Sequence, residues 1–195
     1  EIFEAIDDHQ NYRKRLESWD KVPEDLSREV TLGDCFQLFA KEEILGESDM
    51  WYCSKCKDHV QAEKKLELWS MPHYFTIHLK RFQFSQSSKY SITARARKVE
   101  SDIIFPVEEI LDMSPYLSKE ALQAAKDRGE SVKFKLYGVS RHSGTLSGGH
   151  YTAVVRDLEE GAEEGAWTNY NDSMTSCARK ERICDDQAYL LFYQR

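Results

Sequence analysis

Two β-forming runs on either side of an acidic stretch constrain this chain more than any other feature. The first, Tyr151-Thr152-Ala153-Val154-Val155, is aromatic and β-branched, and a flexible glycine-containing loop, His142-Ser143-Gly144-Thr145-Leu146-Ser147-Gly148-Gly149, delivers His150 onto its start. The second, Trp167-Thr168-Asn169-Tyr170, ends on Asn171-Asp172. The runs predict an antiparallel hairpin. With His150 opposite Asn171, paired positions sum to 321, Arg156 faces Gly165, and Asp157 to Glu164 is left as a solvated, charged loop. Directly opposed residues on one face lie roughly 4.5–5.5 Å apart at Cβ. That is near enough for a carboxamide or carboxylate to hold an imidazole in one tautomer, as a general base in nucleophilic catalysis requires. An ordinary hairpin with a surface histidine fits the same pattern, so the residues alone leave both readings open.

At 195 residues, 41% hydrophobic and 31% charged, the chain is long enough for one domain with a full core. No apolar run approaches the roughly 18 residues a membrane span needs, and no secretory signal is visible. The first residue is Glu1, which reads as a piece of a longer protein. The net charge of −7 argues against a nucleic-acid surface and is compatible with a basic protein segment as ligand. Five cysteines, an odd number with one Cys-x-x-Cys pair, read as reduced thiols and a metal half-site in a cytoplasmic or nuclear protein.

Along the chain, residues 1–29 are polar and charge-rich, a loose lead-in with room for a short helix around Tyr12–Trp19. Thr31-x-x-Asp34 resembles a capping box, after which Leu32, Cys35, Phe36 and Phe39 share one helical face. That stripe makes Cys35 a buried structural thiol rather than a nucleophile, since nothing nearby lowers its pKa. In Tyr74 to Phe82, Phe75, Ile77 and Leu79 alternate toward a core, with His78 on the other side as a packed histidine. Lys89 to Ser101 is basic and predicts a mobile hairpin loop. Ser114-Pro115 suits a helix start, Ser118 to Asp127 favours helix until Gly129, and Val132 to Val139 predicts a strand.

In Trp51-Tyr52-Cys53-Ser54-Lys55-Cys56, two thiols spaced by two residues on a tight turn make half of a tetrahedral zinc site. His59 is unusually close in sequence for a third ligand, and Cys177 and Cys184 lie far down the chain. A redox pair and an unmetallated knuckle are the alternatives.

Gly148-Gly149-His150-Tyr151, Tyr170-Asn171-Asp172-Ser173 and the closing Ala188-Tyr189-Leu190-Leu191-Phe192-Tyr193 resemble the histidine box and end of the ubiquitin-specific proteases. The order of the motifs matches as well as their wording, and Pro72 to Phe82 is similar to the proline-to-Lys-Arg-Phe strand of that family. The resemblance runs from about Val30 to Gln194. It implies an α+β, papain-like cysteine protease fold in which this chain supplies an antiparallel palm and the fingers, while the N-terminal thumb with the nucleophile is absent. Residues 1–29 then read as a lead-in, the end of an insertion; 30–195 as the second half of the catalytic domain, with a zinc-ribbon half near 51–59 and the palm over 64–195.

The resemblance also implies the chemistry, which is hydrolysis after the C-terminal glycine of ubiquitin through a thioester. His150 would be the base, Asn171 its orienting partner, and Asp172, ranked behind it, a carboxylate at a second position that reaches the site if a bulge turns it inward. His142, Gly148, Gly149 and Tyr151 would border the ubiquitin tail, the glycines being small so that substrate backbone can approach. Cys53 and Cys56 would hold structural zinc with two cysteines from outside the chain. The nucleophilic cysteine would come from an upstream segment, since Glu1 to Val30 contains no cysteine. Ubiquitin conjugates and the upstream half of the domain are the implied partners, and this chain alone should be inactive. A non-catalytic ubiquitin-binding or scaffolding module with the same fold, or a zinc-ribbon interaction module, fits the motifs less fully.

Overall fold

The computed structural model describes residues 30–47, 49–85, 95–157 and 166–195. The predicted helix near Tyr12–Trp19, the middle of the basic loop and the body of the acidic loop lie outside them. In chain order the elements are β1 (Val30–Thr31), α1 (Leu32–Phe39), β2 (Glu43–Ile44), β3 (Trp51–Cys53), β4 (Asp58–Val60), β5 (Glu63–Lys64), β6 (Tyr74–His78), β7 (Phe82–Ser85) and β8 (Arg95–Lys98). They continue with β9 (Ile103–Ile104), β10 (Leu111–Asp112), α2 (Lys119–Asp127), β11 (Lys133–Thr145), β12 (Gly148–Arg156), β13 (Trp167–Asn171), β14 (Met174–Ala178) and β15 (Ala188–Gln194).

The chain divides into two compact units. In the first, which holds Asp34–Glu67, two small hairpin ladders form, β2 with β5 and β3 with β4. Cys35 is half-buried on α1 rather than fully enclosed, and Phe39 at the end of the predicted stripe is 49% exposed.

The second unit, Val30–Gly33 with Leu68–Arg195, is built on an antiparallel sheet of order β14-β13-β12-β11-β15-β6, with β10 added on the start of β11. Its core is read directly from strand periodicity. Along β11, Phe134 and Leu136 are buried, and the register slips between Leu136 and Gly138, so that Val139 rather than Gly138 continues the apolar face. Val154 of β12, Trp167 of β13 and Leu191 and Tyr193 of β15 join them, each at most 2% exposed. Each large aliphatic side chain so buried contributes about 1.5–3 kcal/mol. On β6, Tyr74, Thr76 and His78 are exposed while Phe75 and Ile77 are half-buried, the alternation the sequence predicts. His78 packs edge-on against Tyr189, ring centroids 4.6 Å apart.

Several buried polar groups of this unit are tied to backbone or to other side chains. The Tyr193 hydroxyl donates to the Pro106 carbonyl at 2.8 Å, and burial pushes its pKa well up. Arg81, 3% exposed, donates to the carbonyls of Ala188, Val99, Ser101 and Asp185, tying two segments of chain to one guanidinium. Trp167 Nε1 donates to Glu108, whose other oxygen accepts from Arg156. Helix α2 forms where the sequence favours helix, and its cap is Ser118 rather than the expected Ser114, with Ser118 Oγ accepting from the Ala121 amide at 3.1 Å. The Ser114-Pro115 start gives only a 3-10 turn, Ser114–Tyr116, because the Ser114 hydroxyl is drawn back to Asp112. In the basic segment expected as a hairpin loop, Arg95–Lys98 forms a strand paired antiparallel with β7.

Candidate active site

Between Val139 and His150 the chain is not a flexible loop. Strand β11 continues unbroken through Ser140, His142 and Gly144 to Thr145, turns over Leu146-Ser147, and returns as β12 with Thr145 opposite Gly148 and Ser143 opposite His150. Two of the three glycines that suggest a loop, Gly144 and Gly149, instead serve close packing in a narrow hairpin. Gly144 takes φ +110, a backbone that L side chains rarely adopt.

The β12–β13 hairpin forms, in a register two residues from the expected one. Ala153 pairs with Tyr170 and Arg156 with Trp167, a sum of 323 rather than 321, and the Asp157 amide donates to the Ala166 carbonyl to close it. In this register the buried Trp167 indole lies under the Arg156 guanidinium and donates to Glu108. A shift of two preserves side-chain parity. His150 and Asn171 therefore stay on one face as diagonal neighbours, and His150 Nε2 lies 2.6 Å from Asn171 Oδ1.

That contact sets the tautomer. A carboxamide oxygen only accepts, so Nε2 carries the proton and donates it, leaving Nδ1 with the basic lone pair. Asp172 reaches the same edge of the ring, by a different route from the expected bulge. It leads the two-residue turn from β13 into β14 with φ 51, and its carboxylate lies 3.9 Å from Nε2. At that distance, with the Asp172 side chain 81% exposed, the pair is worth little by itself. The His150 side chain is 48% exposed, so the ring is open to a reacting group.

The other predicted residues separate into two groups. Tyr151 is 55% exposed and Gly148 has open space where a Cβ would be, so both border accessible surface. His142 and Gly149 do not fit the same description. His142 is 4% exposed beneath Tyr151, with ring centroids 4.7 Å apart, and is enclosed by Phe82 and Tyr189. A Cβ on Gly149 would fall onto the His142 imidazole and the Ser143 carbonyl oxygen, so its lack of a side chain answers to the protein's own packing. The sequence assigns no role at the site to Lys98, whose ammonium donates to the His142 carbonyl at 2.7 Å, or to Arg81 beyond its place in the Lys-Arg-Phe run. Nothing short of the tertiary fold signals either one.

Cys53 and Cys56 sit at the tip of the β3–β4 hairpin. The Cys56 amide lies 3.5 Å from Cys53 Sγ, and this and the Lys55 amide hold the Cys53 thiol below its ordinary pKa. Lys57, at φ 56, completes the turn. Amide-to-sulfur bonding favours thiolate and suits a metal ligand. Among the described residues no cluster of three or more His, Cys, Asp or Glu side chains is arranged to hold a metal ion. The pair fits half of a closed zinc site and no more.

Comparison with known proteins fits this geometry. Residues 14–193 match the family model described as ubiquitin carboxyl-terminal hydrolase. The chain belongs to that family. Ubiquitin carboxyl-terminal hydrolase 10 of Arabidopsis thaliana is 38% identical over 166 residues, which is 85% of this chain and 16% of the relative. Human ubiquitin carboxyl-terminal hydrolase 15 is 39% identical over 166 residues, 85% of this chain and 15% of that protein. Among solved structures, a SAGA DUB module containing Ubp8, Sgf11, Sus1 and Sgf73 bound to monoubiquitin is similar at a TM-score of 0.63 and 30% identity, covering 85% of this chain and 32% of the other. The chain thus spans about a sixth of these curated hydrolases and about a third of the solved one. It has the antiparallel sheet and few helices of the family fold, and among the described residues no helix is long and apolar enough to cross a membrane.

Proposed function

We propose that this chain is the palm and fingers part of a papain-like deubiquitinating thiol hydrolase, acting on the bond after the C-terminal glycine of ubiquitin. The observation that carries the reading is the 2.6 Å contact between His150 Nε2 and Asn171 Oδ1, on a half-exposed ring whose Nδ1 is left to work. In the reaction, Nδ1 takes the proton of a cysteine thiol as sulfur attacks the terminal glycine carbonyl. It then gives that proton to the departing amine, leaving a thioester. A water, deprotonated by Nδ1, releases the ubiquitin carboxylate and frees the thiol. Asn171 holds the ring through both steps, with Asp172 adding a negative charge as the imidazolium forms.

The nucleophile comes from a segment upstream of these residues. Several properties of the chain's own cysteines support this. Cys177 pairs with Thr168, which puts it on the sheet face opposite Asn171 and His150. Cys184 donates to the Phe105 carbonyl, and burial pushes its thiol up, away from reactivity. Cys53 and Cys56 are tied into the knuckle, and they would hold a zinc ion whose role is to pin that hairpin tip. Tyr151 and Gly148 border the groove through which the ubiquitin tail passes.

The test is covalent trapping. Ubiquitin carrying an electrophile at its C-terminus, incubated with the intact protein, should modify one cysteine outside these 195 residues. Modification of a cysteine within them would overturn the assignment. No modification at all would favour a ubiquitin-binding scaffold.

A further inference from the structure

His142 is the buried titratable group that the mechanism above leaves without a task. We propose that it is a positioning residue for His150, holding the two residues on either side of it through the opposite face of the strand; this rests on the hydrolase reading.

The argument begins with pleat geometry. His142 pairs directly with Tyr151, and Ser143 with His150, so the His142 and His150 side chains leave the hairpin on opposite faces. Tyr151 and Gly149 share the His142 face and flank His150 in the chain. The imidazole covers both. Its ring packs on Tyr151 at a centroid distance of 4.7 Å, while its Nε2 and Cε1 edge lies where a Gly149 Cβ would be. The main chain at residue 150 is thus pinned from beneath at both neighbours, and the side chain above it is delivered to Asn171 at 2.6 Å.

The surroundings of the ring are built to hold it in turn. Phe82 and Tyr189 enclose it at 5.5 and 6.0 Å, and Lys98 clamps its carbonyl while the Gln187 carbonyl accepts from its amide. Phe82 and Lys98 belong to the paired strands β7 and β8, so the base of that hairpin rests on the residue that steadies the histidine. Burial, with Lys98 nearby, pushes the His142 pKa down and keeps the ring neutral.

An apolar filler would serve stability better. His142 Nδ1 is buried with no hydrogen-bond partner among the described residues, a penalty that leucine in the same space would avoid. A flat ring that Gly149 can approach closely on one edge and Tyr151 on its face is what leucine would lack.

The experiment compares His142→Ala and His142→Leu in the intact protein, with ubiquitin C-terminal amide hydrolysis and thermal unfolding measured side by side. The Leu variant should recover the melting temperature lost in the Ala variant, yet keep a kcat reduced about 100-fold at unchanged KM, the scale of a 1 Å misplacement. Recovery of kcat together with stability would make His142 a core filler. A raised KM at unchanged kcat would make it a substrate contact. Either result overturns the proposal. Crystal structures of the Leu variant and the unsubstituted protein read the same point without turnover. Separation of His150 Nε2 from Asn171 Oδ1 beyond about 3.5 Å supports it, and an unchanged contact overturns it. An unsubstituted protein with no hydrolase activity would defeat the hydrolase reading, and the crystal comparison would still decide the positioning.

Discussion

Gly148 and Gly149 are adjacent and the same residue, yet replacing each with alanine should have opposite consequences. At 148 nothing lies within 4 Å of the added methyl. At 149 the methyl meets the His142 imidazole, with Cε1 only 2.8 Å away, and also the Ser143 carbonyl oxygen. The imidazole is enclosed by Phe82, Tyr151 and Tyr189, and the carbonyl belongs to a paired strand, so neither can simply rotate aside. Overpacking of this kind costs about 1–3 kcal/mol. At roughly 2–4 °C per kcal/mol for a domain of 150–250 residues, Gly149→Ala should lower the melting temperature by about 2–12 °C. Gly148→Ala should stay within about 2 °C of the unsubstituted protein, as an open surface position does. Scanning calorimetry of the intact protein measures both. The reasoning fails if the two variants melt together, or if Gly148→Ala is the less stable. Adding His142→Ala to Gly149→Ala should recover only part of the loss, because the clash with Ser143 remains.

Other consequences are as direct. Glu108→Ala leaves the buried Trp167 Nε1 unpaired and should cost about 1–3 kcal/mol, read as a lower melting temperature. Glu108→Gln keeps an acceptor and isolates the charge. The Trp167 bond, followed by Arg156, holds the Glu108 carboxyl below its ordinary pKa, so its contribution is present above the unfolded-state pKa and is lost as pH falls through the folded one. The Gln variant should therefore be less stable than the parent at pH 7, by about 1 kcal/mol or less given the partly exposed carboxylate. The gap should close below about pH 4. Arg81→Lys replaces a fork serving four carbonyls by a point charge, and should destabilise by more than about 2 kcal/mol in denaturant titration. Cys53→Ser should reduce zinc bound per intact protein, by elemental analysis, without removing the His150–Asn171 contact. The 195-residue chain alone should show no ubiquitin amide turnover, and adding the upstream half should restore it.

Strand periodicity and motif order made much of this legible. Phe75 and Ile77 announce their face by alternation, whereas Val154 and the Leu191–Tyr193 pair lie in runs that are apolar on both faces, so only the fold shows which side is buried. His150 and Asn171 share a face in either register because a slip of two keeps parity. What periodicity cannot see is where a large side chain must go. In the observed register Trp167 lies opposite Arg156 and donates to Glu108, contacts that alternation in the sequence does not signal. Gly148 and Gly149 suggest a flexible loop with room for substrate backbone, but at 149 the absence of a side chain answers a tight contact with His142. His142 itself, at the end of a polar run, carries no sign that Phe82, Tyr151 and Tyr189 will close over it. Arg81 is equally silent, because its four carbonyl partners come from segments about 20 and more than 100 residues away.

The central claim, that the imidazole at 150 held by the carboxamide at 171 moves the protons of the reaction, is tested most directly by single-turnover hydrolysis of a ubiquitin C-terminal amide by the intact protein at saturating enzyme. His150→Ala should slow release by about 10²–10⁴-fold, the usual contribution of a positioned acid–base group, while ubiquitin affinity stays unchanged. Release at the unsubstituted rate by the His150→Ala protein would contradict it.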